Sequence, residues 1–241
     1  QGDNASIPIT DRGILLGDGV FDTLLISDGI PQYFNRHINR LSDNIARLGI
    51  PAPAGLADLG AIIDELTDLS DLKAGRASVR TTITRGTGPR GLAPPHNADP
   101  FMIVTLSALP ERTAPKPVSL LVSKTVRRNE FSLLSTLKSL NYGDEVLAMK
   151  EAREQGTDNA VLLNTSGKFA CATNGNVYFY KNGQWMTPPV SDGVLNGTIR
   201  QVLVEQGVVK EESLDFERAF EEEEGAVSAL AYSNSLQGVV P

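Results

Sequence analysis

Phe131-Ser-Leu-Leu-Ser-Thr-Leu-Lys-Ser-Leu140 holds one charged side chain, Lys138. The chain has eight lysines, and the other seven lie beside charges or in turns. An apolar setting disfavours an ammonium ion and so favours the neutral amine, which attacks a carbonyl to form a Schiff base. That is the chemistry by which a lysine holds a pyridoxal cofactor. Composition alone favours a lysine that snorkels from a half-buried strand.

Working outward, Phe34, Ile38, Leu41, Ile45 and Leu48 step by three and four and predict an amphipathic helix over 34–48, stopped before Pro51. Leu56, Leu59, Ile62, Ile63, Leu66 and Leu69 predict a second helix, and Ala77, Val79, Thr81 and Ile83 then alternate as a strand does. Glycines and prolines between 85 and 98 predict a long exposed hairpin loop before the apolar run 101–106. The proline-rich stretch 110–117 reads as a stiff linker. It divides an N-terminal α/β domain, 1–109, from a β-rich α/β domain, 118–241, that carries Lys138. In this second half, strand patterns fall at 118–123, 160–164, 177–180 and 184–187, and helical ones at 144–155 and 198–205. The acidic run 221–224 reads as a solvated helix end.

Lys and Arg number 22 against 29 Asp and Glu, a net charge of -7, which leaves no basic stripe for nucleic acid. Cys171 is the single cysteine, so an intrachain disulfide and a thiolate zinc cluster are both excluded and a reducing, cytoplasmic setting is expected. No apolar run is long enough to span a membrane, and the start, Gln1-Gly-Asp-Asn4, lacks a basic-then-apolar signal. With two histidines, His37 and His96, a histidine-rich metal site is excluded, and no metal is expected. Gly86-Thr-Gly-Pro-Arg-Gly91 follows a strand, but prolines and an arginine stand where a dinucleotide-binding helix would open. A phosphate-bearing cofactor needs backbone amides at a helix start and a guanidinium. Gly197-Thr198-Ile199 opens a helix after a loop, and Arg40 lies on the first helix.

Five segments occur in one order: Asp11-Arg-Gly-Ile-Leu-Leu-Gly-Asp-Gly-Val-Phe21 with Thr23, His37-Ile-Asn-Arg40-Leu41, Lys138-Ser-Leu-Asn141-Tyr142, Thr173-Asn-Gly-Asn176, and Gly193-Val-Leu-Asn-Gly197-Thr198-Ile199-Arg200. From about Ala5 onward the chain resembles the class IV pyridoxal-phosphate aminotransferases, and the usual opening strand is expected to be truncated or shortened before Ala5. The resemblance implies a two-domain α+β chain of fold type IV, like D-amino-acid aminotransferase. Its site would lie between the domains of a homodimer and take a small-molecule amino substrate. By this similarity Lys138 is the Schiff-base lysine and proton shuttle, and Thr23 is a hydrogen-bonding helper in catalysis. Arg40 and the Thr198 and Ile199 amides bind the cofactor phosphate, with Asn176 and Ser235 also at the cofactor. Arg90 meets a substrate carboxylate or is an exposed solubilising arginine, and Tyr142, placed on the substrate side, packs near the cofactor phosphate or fills the domain junction. Arg127 and Arg128 read as surface charges.

Gly19-Val-Phe-Asp-Thr23, the loop Arg85-Gly-Thr-Gly-Pro-Arg90-Gly91 and the terminal Ser233-Asn234-Ser235-Leu236 are most similar to the 4-amino-4-deoxychorismate lyases of that superfamily. The implied reaction yields 4-aminobenzoate and pyruvate for folate synthesis. The alternatives are a transaminase for D-amino or branched-chain amino acids and a non-catalytic relative. Cys171 departs from the pattern, because the superfamily carries there a glutamate that keeps the pyridine nitrogen protonated. A thiol is a poor proton donor to a pyridine. Transamination is expected to suffer most, whereas elimination is helped by aromatisation of the ring.

Overall fold

The computed structural model describes residues 5–111, 113–221 and 225–241. The chain divides into two units, Gln1–Arg112 with Lys138–Leu140, and Thr113–Leu137 with Asn141–Pro241.

The first unit is built on β1 (Gly19–Ser27), β2 (Ile30–Pro31), β3 (Arg76–Thr84) and β4 (Phe101–Leu109), an antiparallel sheet in the order β2-β1-β3-β4. Asp28 and Gly29 both take positive φ, 49 and 76°, which suits a tight two-residue hairpin, so Ser27 pairs with Ile30. Alternate strand residues Val20, Leu24, Ile26, Val79 and Ile83 bury themselves against Leu41 and Ile45 of α2 (Phe34–Arg47) and Leu59 and Ile63 of α3 (Leu59–Leu69). The first helix follows its predicted span closely. The second begins at Leu59 rather than Leu56, because Leu56 sits in a turn behind Gly55, whose φ is 82°. A short α1 (Arg12–Leu16) starts where Asp11 accepts from the Gly13 and Ile14 amides at 2.8 and 3.3 Å.

The second unit holds an eight-stranded sheet. Its strands are β5 (Leu120–Arg128), β6 (Asn159–Asn164), β7 (Phe169–Ala172), β8 (Gly175–Lys181), β9 (Gln184–Thr187), β10 (Val209–Glu211), β11 (Ala229–Asn234) and β12 (Gly238–Val240). The main path runs β10-β9-β8-β7-β6-β5, with β11 beside β8 and β12. Between β5 and β6 lie α4 (Leu133–Thr136) and α5 (Gly143–Glu154), and the two strands pair in parallel, as a helical crossover requires. All six residues of β6 are buried. One face packs Val161 and Leu163 with Phe169 and Phe179, the other packs Ala160 and Leu162 with Ala148 and Ala152 of α5. The strand predicted over 118–123 extends to Arg128 through a register shift between Val122 and Arg127. The last helix, α6 (Thr198–Glu205), follows an extended Gly197.

Both units combine helices with mostly antiparallel sheet, so the α+β class stands. The division at 112/113 falls within the predicted linker. Lys138, however, belongs to the first unit and not to the C-terminal domain. The Phe21 amide donates to the Lys138 carbonyl at 2.9 Å, the Leu140 amide donates to the Gly19 carbonyl at 3.0 Å, and Ser139 bridges Val20. The segment around Lys138 is a short helix followed by a single β-bridge, not the half-buried strand from which a lysine would snorkel. Of the acidic run, residues 222–224 lie outside the described residues, as do residues 1–4. No described helix is long and apolar enough to cross a membrane.

Gly86 closes the end of β3 at φ 82°, and a β-carbon there would stand 1.8 Å from the Asp99 carbonyl oxygen. Gly86→Ala is expected to cost roughly 2–4 kcal/mol, combining left-handed strain with a backbone overlap. Gly156→Ala, at φ 72° in open space, should cost only about 1 kcal/mol. Urea midpoints check this, and equal losses at the two sites would contradict it.

Candidate functional site

Lys138 is held by backbone pairing to β1, and its Nζ lies 4.2 Å from the centroid of the Phe21 ring. The Arg80 guanidinium carbon lies 3.6 Å from the same centroid, and Arg80 Nε donates to Thr82 Oγ1 at 3.2 Å. Each is a cation–π contact with the negative face of an aromatic ring. Thr23 is the register partner of Arg80. A segment that is nearly charge-free in sequence thus shares its aromatic neighbour with a second cation in space. Arg80 escaped the sequence reading because its tie to Lys138 runs through Phe21, 59 and 117 positions away from the two partners in turn.

Asp22 follows Phe21 and shares the sheet face of Val20 and Leu24, where a carboxylate meets the core. It is 4% exposed and ionised, so it survives there only with partners. Arg40 supplies two, Nε to Oδ2 and Nη2 to Oδ1, both at 2.8 Å. His37 Nδ1 donates to Oδ1 at 2.6 Å. Burial alone would raise the Asp22 carboxyl, but the Arg40 charge and the His37 hydrogen bond outweigh it and hold it at about 2. The predicted phosphate arginine is therefore oriented through Nε and Nη2, which leaves Nη1. His37 is structural in this geometry, and His96 is exposed.

In the second unit, Asn176 Nδ2 donates to the Leu195 carbonyl at 2.8 Å, which draws the 195–197 turn against β8. A β-carbon on Gly197 would stand 2.1 Å from Asn176 Oδ1, so a larger residue there would push the Asn176 amide off the turn. Thr198 is 1% exposed, and its Oγ1 is buried without a protein partner at the first turn of α6. First-turn amides have no partner inside a helix. A buried, unanswered hydroxyl beside the Thr198 and Ile199 amides is a donor set that fits an anionic oxygen group such as phosphate. Arg200 backs the turn from beneath, with Nη1 on Asn196 Oδ1 at 2.8 Å and Nη2 on the Pro188 carbonyl at 2.9 Å and on Glu211.

Cys171 lies on β7 opposite Leu162 and Asn176, in the cluster formed with Ala148, Ala152 and Val194. Burial pushes its thiol up to about 11, with Arg128 opposing and Glu145 assisting. It is neutral at pH 7. Arg128 is not the expected surface charge: it pairs with Glu145 and donates to the Ser135 and Gly193 carbonyls at 2.6 and 3.3 Å. Arg127 is exposed. Tyr142 is half-buried at the start of α5, and Ser235 is half-buried in the turn after β11. Ser233 rather than Ser235 is engaged inward, 2.7 Å from the Tyr178 hydroxyl. Arg90 stands exposed on the loop between β3 and β4.

Residues 19–241 match the family model described as amino-transferase class IV. A Methanocaldococcus jannaschii protein with the provisional name branched-chain-amino-acid aminotransferase is 32% identical over 213 residues, 88% of this chain and 72% of that protein. The aminodeoxychorismate lyase of Bacillus subtilis is 27% identical over 238 residues, 96% of this chain and 78% of its own. A Legionella pneumophila structure provisionally named 4-amino-4-deoxychorismate lyase superposes with a TM-score of 0.86 at 28% identity, covering 99% of this chain and 87% of that one.

The Asp22 carboxyl is held at about 2 in the folded chain against an ordinary 3.8. Its contribution to stability is complete above pH 4 and is lost as pH falls through 2, a loss of about 2 kcal/mol. Asp22→Asn should destabilise the protein by about 3–5 kcal/mol at pH 7, since it strands Arg40, and should flatten the acid loss between pH 4 and 2 by one proton. Urea unfolding across pH checks both, and a wild-type acid slope would remove Asp22 from that role.

Proposed function

The chain belongs to the class IV aminotransferase family of pyridoxal-phosphate enzymes, and from that premise we propose that it is a lyase converting 4-amino-4-deoxychorismate to 4-aminobenzoate and pyruvate. The observation that carries this choice is Cys171, a buried neutral thiol at the position where the family's glutamate would hold the pyridine nitrogen protonated. A carboxylate neighbour favours the protonated nitrogen, and a neutral thiol does not. Bound pyridoxal phosphate supplies an electron-accepting ring, which is weaker when its nitrogen is not protonated. Elimination that ends in an aromatic product needs that sink least.

Within this reading Lys138 Nζ would hold the cofactor's aldehyde carbon, and its free amine would be the base for the proton on the substrate ring carbon that bears nitrogen. Thr23 Oγ1 donates a hydrogen bond close to that transfer. The Thr198 and Ile199 amides and the unanswered Thr198 hydroxyl bind the phosphate. Arg40, through Nη1, and Ser235 are assigned to the same cofactor by the family resemblance. Asn176 acts by shaping the turn that presents those amides. Arg90 meets a substrate carboxylate, and Tyr142 lines the substrate side. We assign the protein to the cytoplasm as a homodimer supplying folate synthesis. The exposed Phe131, Leu133, Leu134, Val146 and Leu147 support a second copy as partner. A second reading, transamination of D-amino or branched-chain amino acids, is favoured by the archaeal relative.

Incubation with 4-amino-4-deoxychorismate should release 4-aminobenzoate and pyruvate in equal amounts, and exchange between amino-acid and keto-acid pairs should be slow. Cys171→Glu should accelerate the transaminase half-reaction by about tenfold or more, while elimination changes less. Melting temperature and cofactor content are measured beside the rates, because a carboxylate in that apolar cluster carries its own burial cost. Rapid transamination by the wild type with no 4-aminobenzoate would select the second reading.

A further inference from the structure

We infer that Arg12 is a positioning residue for substrate recognition: its buried guanidinium grips the loop that carries Arg90. Arg12 is 4% exposed at the first position of α1. It donates outward to three successive carbonyls, from Nη1 to Gly91 and Ala93 at 3.1 and 3.3 Å and from Nη2 to Leu92 at 2.9 Å. Three consecutive carbonyls that converge on one planar fork fix the backbone immediately after Arg90. Gly91 itself stands at φ 124°, a conformation that glycine alone adopts readily, so the loop takes at this point a shape its own sequence permits but does not impose. A loop of this length with glycines and prolines would otherwise be free to move, and an arginine on it would make a poor carboxylate site.

The grip is anchored in turn. Arg12 Nε and Arg85 Nε both donate to Asp18 Oδ2 at 2.8 Å. Burial works against the Asp18 charge, but the Arg85 and Arg12 guanidiniums outweigh it and hold the carboxyl below its usual range. Arg85 continues to the Leu48 and Gly49 carbonyls at 2.8 and 2.7 Å, at the end of α2. One carboxylate therefore ties the helix that bears Arg40 to the residue that holds the Arg90 loop. The Arg12 amide also donates to the Gly86 carbonyl at 2.9 Å, and Thr84 Oγ1 donates to Asp11 Oδ2 at 2.6 Å, which seats α1 on the end of β3.

The functional half of this inference rests on the proposed role of Arg90, so the test has one arm that needs no substrate. Arg12→Lys keeps the charge beside Asp18 and loses the fork. Gly91→Ala strains the loop from its own side and leaves the Arg12, Asp18 and Arg85 cluster untouched. Trypsin cleavage after Arg90 in the cofactor-loaded protein should be at least about tenfold faster in each variant at a temperature well below its melting temperature, as expected when a local opening equilibrium shifts through lost carbonyl contacts or through strain at Gly91. KM for 4-amino-4-deoxychorismate should rise about fivefold or more in Arg12→Lys with kcat little altered. Cleavage at the wild-type rate in both variants overturns the grip. Faster cleavage with an unchanged KM, when Arg90→Ala raises KM, overturns its link to recognition. If Arg90→Ala leaves KM unchanged, or the substrate is not turned over, the proposed function or contact fails instead, and the cleavage rates still decide the grip.

Discussion

Two backbone hydrogen bonds between β1 and the segment around Lys138 are the constraint on which the site depends. They run from the Phe21 amide to the Lys138 carbonyl and from the Leu140 amide to the Gly19 carbonyl. Main-chain pairing of this kind fixes the lysine's Cα whatever the side chains around it do. It also sets Nζ over the Phe21 ring and brings Arg80, whose strand pairs with β1, to the same ring. The alternation of β1 then assigns the next residue to the core, and that residue is Asp22. A carboxylate in this place is tolerated because α2 presents His37 and Arg40, three apart and so on one side of the helix. The ionic cluster and the lysine are thus consecutive consequences of the same strand.

The polar groups elsewhere follow one rule: a buried charge must be answered, and the answer orients a neighbour. Asp22 orients Arg40, Asp18 orients Arg12 and Arg85, and Glu145 orients Arg128, and Arg12, Arg85 and Arg128 spend further donors on backbone carbonyls. Guanidinium suits this use because its planar fork serves several acceptors at once. Thr198 departs from that rule at a helix start, since its hydroxyl is buried and unanswered beside first-turn amides that no helix partner can satisfy.

Local structure was legible where its signal is local. The three-and-four spacing from Phe34 gave α2, and Lys181-Asn182-Gly183 gave the β8–β9 hairpin, whose Asn182 and Gly183 take φ 51 and 77°. Ordered motifs carried the family, and through it the proposal of Lys138, Arg40 and Thr198 as site residues. Non-local pairings were not legible. A single bridge such as Val20 to Ser139 has no periodicity, so nothing in the sequence groups residues 138–140 with the first unit. Arg128 read as surface because its partner Glu145 stands 17 positions away, and Arg12 was passed over because its acceptors are carbonyls some 80 residues on. Backbone acceptors carry no residue identity, which is why an arginine that binds them leaves no trace in sequence.

Borohydride reduction of the cofactor-loaded protein, followed by peptide mapping, tests the assignment of Lys138 most directly. A phosphopyridoxyl group on Lys138, with loss of the visible absorption band, is the predicted result. A group on any other lysine, or a protein that stays colourless and unmodified after addition of pyridoxal phosphate, would contradict it.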